Sequence, residues 1–167
     1  MREVLFICTG NYYRSRFAEA VFNHLAKKAG IPWRAFSRGL AIHLADGDLS
    51  PHSATALQER GIERSHTAPT RVSLAEADLS RASHIVALKR DEHHALMAAQ
   101  FPAWADRITY WAVHDLDAAE PAQALAEIET FVGKLLRELD AQKPDPIAML
   151  SRLHKKGGGI APARAEK

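Results

Sequence analysis

The only cysteine of the chain, Cys8, closes an apolar run from Glu3 to Ile7, and an arginine follows six residues later. Between them stand Thr9, Gly10, Asn11, Tyr12 and Tyr13, a stretch that neither a helix nor a strand selects. After Arg14 and Ser15, the residues Phe17, Val21 and Leu25 recur four apart, which predicts a helix over 15–29 that Gly30 and Pro32 end. A strand–loop–helix turn leaves backbone N–H groups without partners. The first helical turn adds more, and its dipole adds about half a positive charge. Such a loop is an anion site. Gly10 is expected to let the backbone curl, and Asn11 tolerates the left-handed conformation better than most residues. Arg14 offers a planar fork that can grip two oxygens of a phosphate at once. A cysteine at the start of that loop faces the same donors and the same charge, which favour its thiolate. A thiolate held beneath a tetrahedral oxyanion can attack phosphorus in line. A lone cysteine after a strand is ordinarily a small core residue. The Cys-x5-Arg-Ser spacing at a strand-to-helix junction reverses that expectation. Other phosphate loops do not fit, since neither G-x-x-x-x-G-K-[ST] nor G-x-G-x-x-G after a strand is present.

The elements that must hold this loop follow from the pattern along the chain. The near-continuous apolar run Glu3–Ile7 predicts a strand buried on both faces, His84–Leu88 and Arg107–Val113 predict two more strands, and Trp33–Ser37 a weaker one. Ser50-Pro51 reads as an N-cap with proline at the first helical position, and Gly61 closes that helix. Ser73 and Glu76 have the spacing of a capping box. Further helices are expected over Asp91–Gln100 and from Pro121 to about Gln142, where Leu125, Ile128, Val132, Leu135, Leu136 and Leu139 share a face. The alternation predicts an α/β fold, a three-layer doubly wound sheet of four parallel strands flanked by about five helices. Ligands in such sheets bind at the carboxyl ends of the strands, where Cys8 and Asp115 fall. One domain is expected over 1–142. Residues 143–167, with Pro-Asp-Pro, Arg152-Leu-His-Lys-Lys156 and three glycines, read as an appended basic tail.

Composition narrows the function classes. The 167 residues carry 22 basic and 20 acidic side chains, a formal charge of +2, which is too balanced to argue for a nucleic-acid partner. No apolar run approaches the ~20 residues that span a bilayer, and the N-terminal run is too short for an export signal. One cysteine fits a reducing, cytoplasmic setting. His93-His94 cannot face one metal from a helix, and no H-E-x-x-H or Cys/His ligand set appears, so neither a metal nor another cofactor is expected.

The stretch VLFICTGNYYRSRFAEA resembles the phosphate-binding loop of the low-molecular-weight protein tyrosine phosphatases. Ser37-Arg-Gly39, Gly61-Ile62, Ser65-His66-Thr-Ala68 and Trp111-Ala-Val113-His-Asp115 resemble further segments of that family in the same order. The resemblance implies Cys8 as nucleophile, Arg14 as phosphate clamp and Asp115 as general acid. It implies that Thr9, Gly10, Asn11, Tyr12, Tyr13, Arg14 and Ser15 cradle the phosphate. Asn11, Ser15, Ser37 and His66 would shape the loop, with Ser15 donating to the sulfur of Cys8. The implied partner is a phosphotyrosine-containing protein, with inorganic phosphate and other oxyanions as inhibitors. The family usually has proline and then an aromatic after its acid. Here Asp115-Leu116-Asp117 stands instead, and Asp117 is a rival acid. Ala41-Ile42-His43 occupies another position where relatives often carry an aromatic, and Tyr12 and Tyr13 could supply such surface from the loop. Lys89 stands where relatives have an aspartate. Relatives also often keep a second cysteine near Tyr13, absent here. Two rival functions stay open: an arsenate reductase using an external small thiol or glutaredoxin, and a non-catalytic phosphate-dependent binding module.

Phosphate, vanadate or sulfate is expected to slow alkylation of Cys8 by iodoacetate. Alkylation indifferent to these anions would show that the loop holds no oxyanion.

Overall fold

A computed structural model describes residues 1–114 and 120–142. Four parallel strands form one sheet in the order β2-β1-β3-β4, and five α-helices flank it. The strands are β1 (Arg2–Cys8), β2 (Trp33–Gly39), β3 (His84–Ala87) and β4 (Thr109–Tyr110). The helices are α1 (Arg14–Ala29), α2 (Pro51–Glu59), α3 (Glu76–Arg81), α4 (Arg90–Gln100) and α5 (Pro121–Ala141), with short 3-10 turns at Ile42–Leu44 and Arg64–His66.

Strand β1 runs through the middle of the sheet, and Val4 to Cys8 are all buried. Its side chains alternate between two cores, as the pleat requires. Val4 and Phe6 join Phe17, Val21 and Phe22 of α1 and Ile128, Val132 and Leu135 of α5. Leu5 and Ile7 face the other layer, with Leu79 of α3 and Met97 of α4. The apolar face expected on α5 is the one the structure buries. Phe6 meets Phe22 edge-on at 6.0 Å and Trp111 at 5.6 Å, and Trp111 stacks on Phe131 at 5.1 Å. This aromatic chain ties the central strand to α1, α5 and the segment that leads to Asp115.

Two local expectations need correction. The fourth strand is only Thr109–Tyr110, much shorter than 107–113, and beyond it Ala112 makes an isolated antiparallel bridge to Lys89. Edge position explains this, because β4 has a neighbour on one side only. The Ser73 capping box is also displaced. Helix α3 starts at Glu76 behind Ala75, whose N–H is accepted by the Asp78 carboxylate at 3.1 Å. Ser73 instead pairs beside Gly39, extending the edge of β2. Asp115, Asp117 and the expected tail 143–167 lie outside the described residues.

Phe22→Ala is expected to cost about 3–5 kcal/mol, because the buried ring has aromatic and aliphatic neighbours that cannot close the hole. Urea denaturation of the two proteins measures the difference.

Candidate active site

The site begins where β1 ends. Cys8 pairs in register with Gly39 of β2, and the Leu40 N–H donates to the Cys8 carbonyl at 3.0 Å. The Ala41 N–H continues that pairing to the Thr9 carbonyl at 2.8 Å. The chain then turns through Gly10–Tyr13 and enters α1 at Arg14. Asn11 takes the left-handed turn, at φ 49°, and is the only non-glycine residue to do so among those described. Gly10 is not in the left-handed region, and a Cβ there would stand 3.1 Å from that of Ala45. Gly39 is more constrained. A Cβ on it would lie 2.7 Å from a methyl of Ile42 and 2.9 Å from both the nitrogen and the Cβ of Asn11. The loop therefore closes directly over the end of β2. Among the described residues, the N–H groups of Gly10, Asn11 and Tyr12 donate to no recorded partner. They are the kind of backbone donors an oxyanion uses.

A buried polar chain lies beneath this loop. The Asn11 carbonyl oxygen accepts the Val72 N–H at 2.8 Å, which fixes which end of the amide is NH₂. That NH₂ donates to Ser15 Oγ at 3.1 Å and to Ser37 Oγ at 2.8 Å. Each serine oxygen thus accepts from Asn11. Ser15 Oγ lies within hydrogen-bonding distance of Cys8 Sγ, at 2.9 Å. Ser37 donates to Glu19 Oε2 at 2.7 Å. Thr67 donates to the same oxygen at 2.8 Å and accepts from Arg16 Nε at 2.7 Å. Arg16, fully buried, also donates to the carbonyls of Asp48 at 2.8 Å and of Ala68. Burial pushes the Glu19 carboxyl up, against the hydroxyls of Ser37 and Thr67 and the charge of Arg16, which pull it down. Burial lowers the Arg16 guanidinium, with Glu19 opposing.

Arg14 stands on the other side of Cys8. Its side chain is buried, and its two terminal nitrogens reach Glu92 of α4, NH1 to Oε2 at 3.0 Å and NH2 to Oε1 at 2.8 Å. NH1 also donates to the Val113 carbonyl at 3.3 Å. Thr9 Oγ1 donates to Glu92 Oε1. His93 is fully buried, its Nδ1 accepts the Lys89 N–H at 3.1 Å, and its Nε2 sits 3.3 Å from Glu92 Oε1. Burial works to raise the Glu92 carboxyl, but hydrogen bonds from His93, Arg14 and Thr9 together with the Arg14 charge outweigh it. Glu92 is held well below the usual carboxylate range.

The structure brings together Cys8, Thr9, Gly10, Asn11, Tyr12, Arg14, Ser15 and Ser37 as the sequence suggested. It divides the two tyrosines. Tyr12 is half-buried and lines the pocket over Cys8. The Tyr13 ring is buried, although the residue lines the same pocket, and its hydroxyl donates to the Pro121 carbonyl at 3.3 Å. His66 is not brought to the loop. Its ring meets His24 edge-on at 5.5 Å, and its carbonyl accepts from Asn23. Burial, then His24 and Lys27, lower its pKa. The next residue, Thr67, takes the expected place. Asp115 lies outside the described residues, two positions after Val113. Sequence reasoning missed Arg16, Glu19, Thr67 and Glu92. One signal was available for Glu19, which follows Ser15 by four residues and so shares its face of α1.

Cys8, Thr9, Gly10, Tyr12, Arg14 and Glu92 line a pocket of about 510 Å³ whose rim carries Leu44, Ala45 and Asp46. Comparison with known proteins places this arrangement. Residues 3–145 match the sequence profile of the family described as low molecular weight phosphotyrosine protein phosphatase. A protein-arginine-phosphatase of Bacillus subtilis is 29% identical over 106 residues, covering 64% of this chain and 67% of that protein. An arsenate reductase 1 of Staphylococcus epidermidis is 38% identical over 65 residues, covering 39% of this chain and 44% of that protein. The crystal structure of a low molecular weight protein tyrosine phosphatase from T. tengcongensis superposes with a TM-score of 0.71 at 29% identity, over 83% of this chain and 99% of that one.

Gly39→Ala is expected to push the loop off the end of β2 while leaving the fold intact. Misplacement by about 1 Å predicts a loss of ~10²-fold in turnover of p-nitrophenyl phosphate. Steady-state kinetics beside a circular-dichroism melt measure both.

Proposed function

The chain belongs to the low molecular weight phosphotyrosine protein phosphatase family, and from that premise we propose that it hydrolyses phosphotyrosine, and aryl phosphate monoesters generally, through a phosphocysteine intermediate. In this reading Cys8 Sγ attacks phosphorus and the phenolate oxygen leaves, taking a proton from Asp115. The loop amides and Arg14 hold the three equatorial oxygens as charge spreads over them. Asp115 then removes a proton from water, which displaces the thiolate from phosphorus. The hydroxyl of Ser15, 2.9 Å from the sulfur, receives that returning charge.

The observation that carries the aryl preference is the wall above Cys8. Tyr12 and Leu44 line the pocket, and Leu44 is 68% exposed, a large apolar side chain held in water at the rim. An aromatic ring leaving from phosphorus would cover it. One observation favours a second reading, phosphoarginine. Asp46 lines the same rim and could pair with a guanidinium, the leaving group of the substrate named for the Bacillus subtilis relative. Arsenate reduction would need an external thiol, because Cys8 has no second cysteine in the chain.

The test compares two peptides of one sequence, carrying phosphotyrosine or phosphoarginine, beside an assay of arsenate-dependent thiol oxidation. A kcat/KM at least about tenfold higher for phosphotyrosine is expected, and the reverse order would overturn the aryl reading. Cys8→Ser and Arg14→Ala are expected to remove nearly all turnover. Asp115→Asn is expected to cost ~10²–10⁴ in kcat with aryl phosphates, and Asp117→Asn little. Reversed aspartate effects would move the acid to Asp117.

A further inference from the structure

We propose that Glu92 is a resting occupant of the oxyanion site: from the first turn of α4 its carboxylate lines the pocket over Cys8 and pairs with the terminal nitrogens of Arg14, so that a phosphate entering this pocket has to displace it. The proposal rests on the reading of the loop as an oxyanion site. Glu92 shares the wall of one pocket with Cys8, Thr9 and Arg14. Its Oε2 accepts from Arg14 NH1 at 3.0 Å, and its Oε1 accepts from Arg14 NH2 at 2.8 Å. Two parallel bonds from one guanidinium are also how arginine grips a phosphate. The Thr9 hydroxyl donates to Oε1 as well. On this side of the pocket the carboxylate imitates two oxygens of the substrate.

Charge makes the two compete. Against burial, hydrogen bonds from His93, Arg14 and Thr9 together with the Arg14 charge hold Glu92 in its ionised form. A phosphate ester is an anion too. Two anions drawn to one guanidinium in a partly buried pocket repel each other, and more strongly than they would in water. Burial decides which group yields. The Arg14 side chain is 2% exposed and is tied to the Val113 carbonyl at 3.3 Å, whereas the Glu92 side chain is 28% exposed. Arg14 stays in place, and Glu92 swings toward water.

The cradle itself is left open. Among the described residues, the N–H groups of Gly10, Asn11 and Tyr12 donate to no recorded partner, Glu92 included. Glu92 therefore holds the arginine without holding the amides. A phosphoryl group collects both, and that surplus of donors lets it win the exchange. When phosphate departs at the end of turnover, Glu92 takes Arg14 back. The cost is affinity: a site that is closed nine-tenths of the time binds its anion about tenfold more weakly than an open one.

The experiment titrates the full chain with inorganic phosphate by calorimetry and measures p-nitrophenyl phosphate kinetics, for wild type, Glu92→Gln and Glu92→Asp, each checked by a circular-dichroism melt. Glu92→Gln, which removes the competing charge, is expected to bind phosphate about tenfold tighter and to lower KM by a similar factor. Glu92→Asp keeps a charge beside the buried arginine but is one methylene too short to reach both nitrogens. It is expected to tighten phosphate by a smaller, measurable factor. Unchanged phosphate affinity in Glu92→Gln would overturn the proposal. Weaker affinity would overturn it too, by showing that the carboxylate supports Arg14 while the anion is bound. Should Glu92→Gln fail to fold, Glu92→Asp decides, and unchanged or weaker affinity there is the negative result. Absence of phosphate binding in all three proteins would remove the oxyanion site and the proposal with it, whereas binding in the wrong order removes the proposal alone.

Discussion

Everything at this site depends on how one primary amide is satisfied. Asn11 has one carbonyl and two N–H donors directed at named partners, Val72, Ser15 and Ser37. The Val72 N–H fixes the carbonyl end, so the NH₂ end must face the serines. Ser37 passes its own proton on to Glu19, and Ser15 Oγ stands 2.9 Å from Cys8 Sγ. The Val72 N–H, on the far side of the loop, thereby sets which end of the amide both serines meet. Flipping the amide would oppose an N–H to Val72 and a carbonyl to the serines, and each buried donor left without an acceptor costs about 1–3 kcal/mol. Asn11 also suits the backbone, because its φ of 49° is one that asparagine tolerates better than most residues.

Two buried charges lie beneath this amide, and their presence needs a reason. Buried ion pairs add little net stability compared with apolar packing, yet removing one partner strands the other at about 3–5 kcal/mol. Arg16 and Glu19 are both buried and both hydrogen-bonded. Their partners explain their place. Arg16 gathers the carbonyls of Asp48 and Ala68 and the Thr67 hydroxyl, so two segments distant in sequence are pinned to the first turn of α1. Glu19 receives the hydroxyls that terminate the Asn11 chain from Ser37 and Thr67. An apolar pair could fill the same volume but could not terminate a line of donors. The charges give direction to the network more than energy to the fold.

The fold was legible because burial leaves its mark on residue type. Val4 to Ile7 must be apolar on both faces, and six leucine, isoleucine and valine positions of α5 must share a stripe. The loop was legible because its chemistry demands fixed spacing: Cys8, Arg14 and Ser15 sit where they do whatever surrounds them. What escaped was the support. Nothing in the sequence marks Arg16 and Glu19 as buried, since charge alone does not announce burial. Glu92 lies in the first turn of α4 beside Asp91, where acidic residues are common for reasons of the helix dipole. Its pairing with Arg14 joins residues 78 apart in sequence and appears only when the sheet brings β1 and β3 side by side. Thr67 rather than His66 faces the loop because the 3-10 turn Arg64–His66 ends one residue earlier, leaving Thr67 extended and its hydroxyl inward.

The same division explains why reaction class and substrate class differ in legibility. The floor of the pocket is buried and over-determined: moving Asn11, Ser15 or Arg14 disturbs several hydrogen bonds at once. The rim is made by the short turn at Ile42–Leu44 and the residues after it, where Leu44 stands in water. Few partners constrain the side chains there, so substitutions at the rim cost the fold little. Arg71 ties the backbone of this segment through the carbonyls of Ile42 and Ala45, while the Leu44 side chain stays exposed. A chain can thus keep one phosphoryl-transfer floor while its rim changes from apolar to acidic. Tyr12 links the two regions, because its backbone belongs to the loop, where its carbonyl accepts the Ser50 N–H, and its ring belongs to the wall. A change of substrate contact at Tyr12 acts from within the oxyanion loop itself.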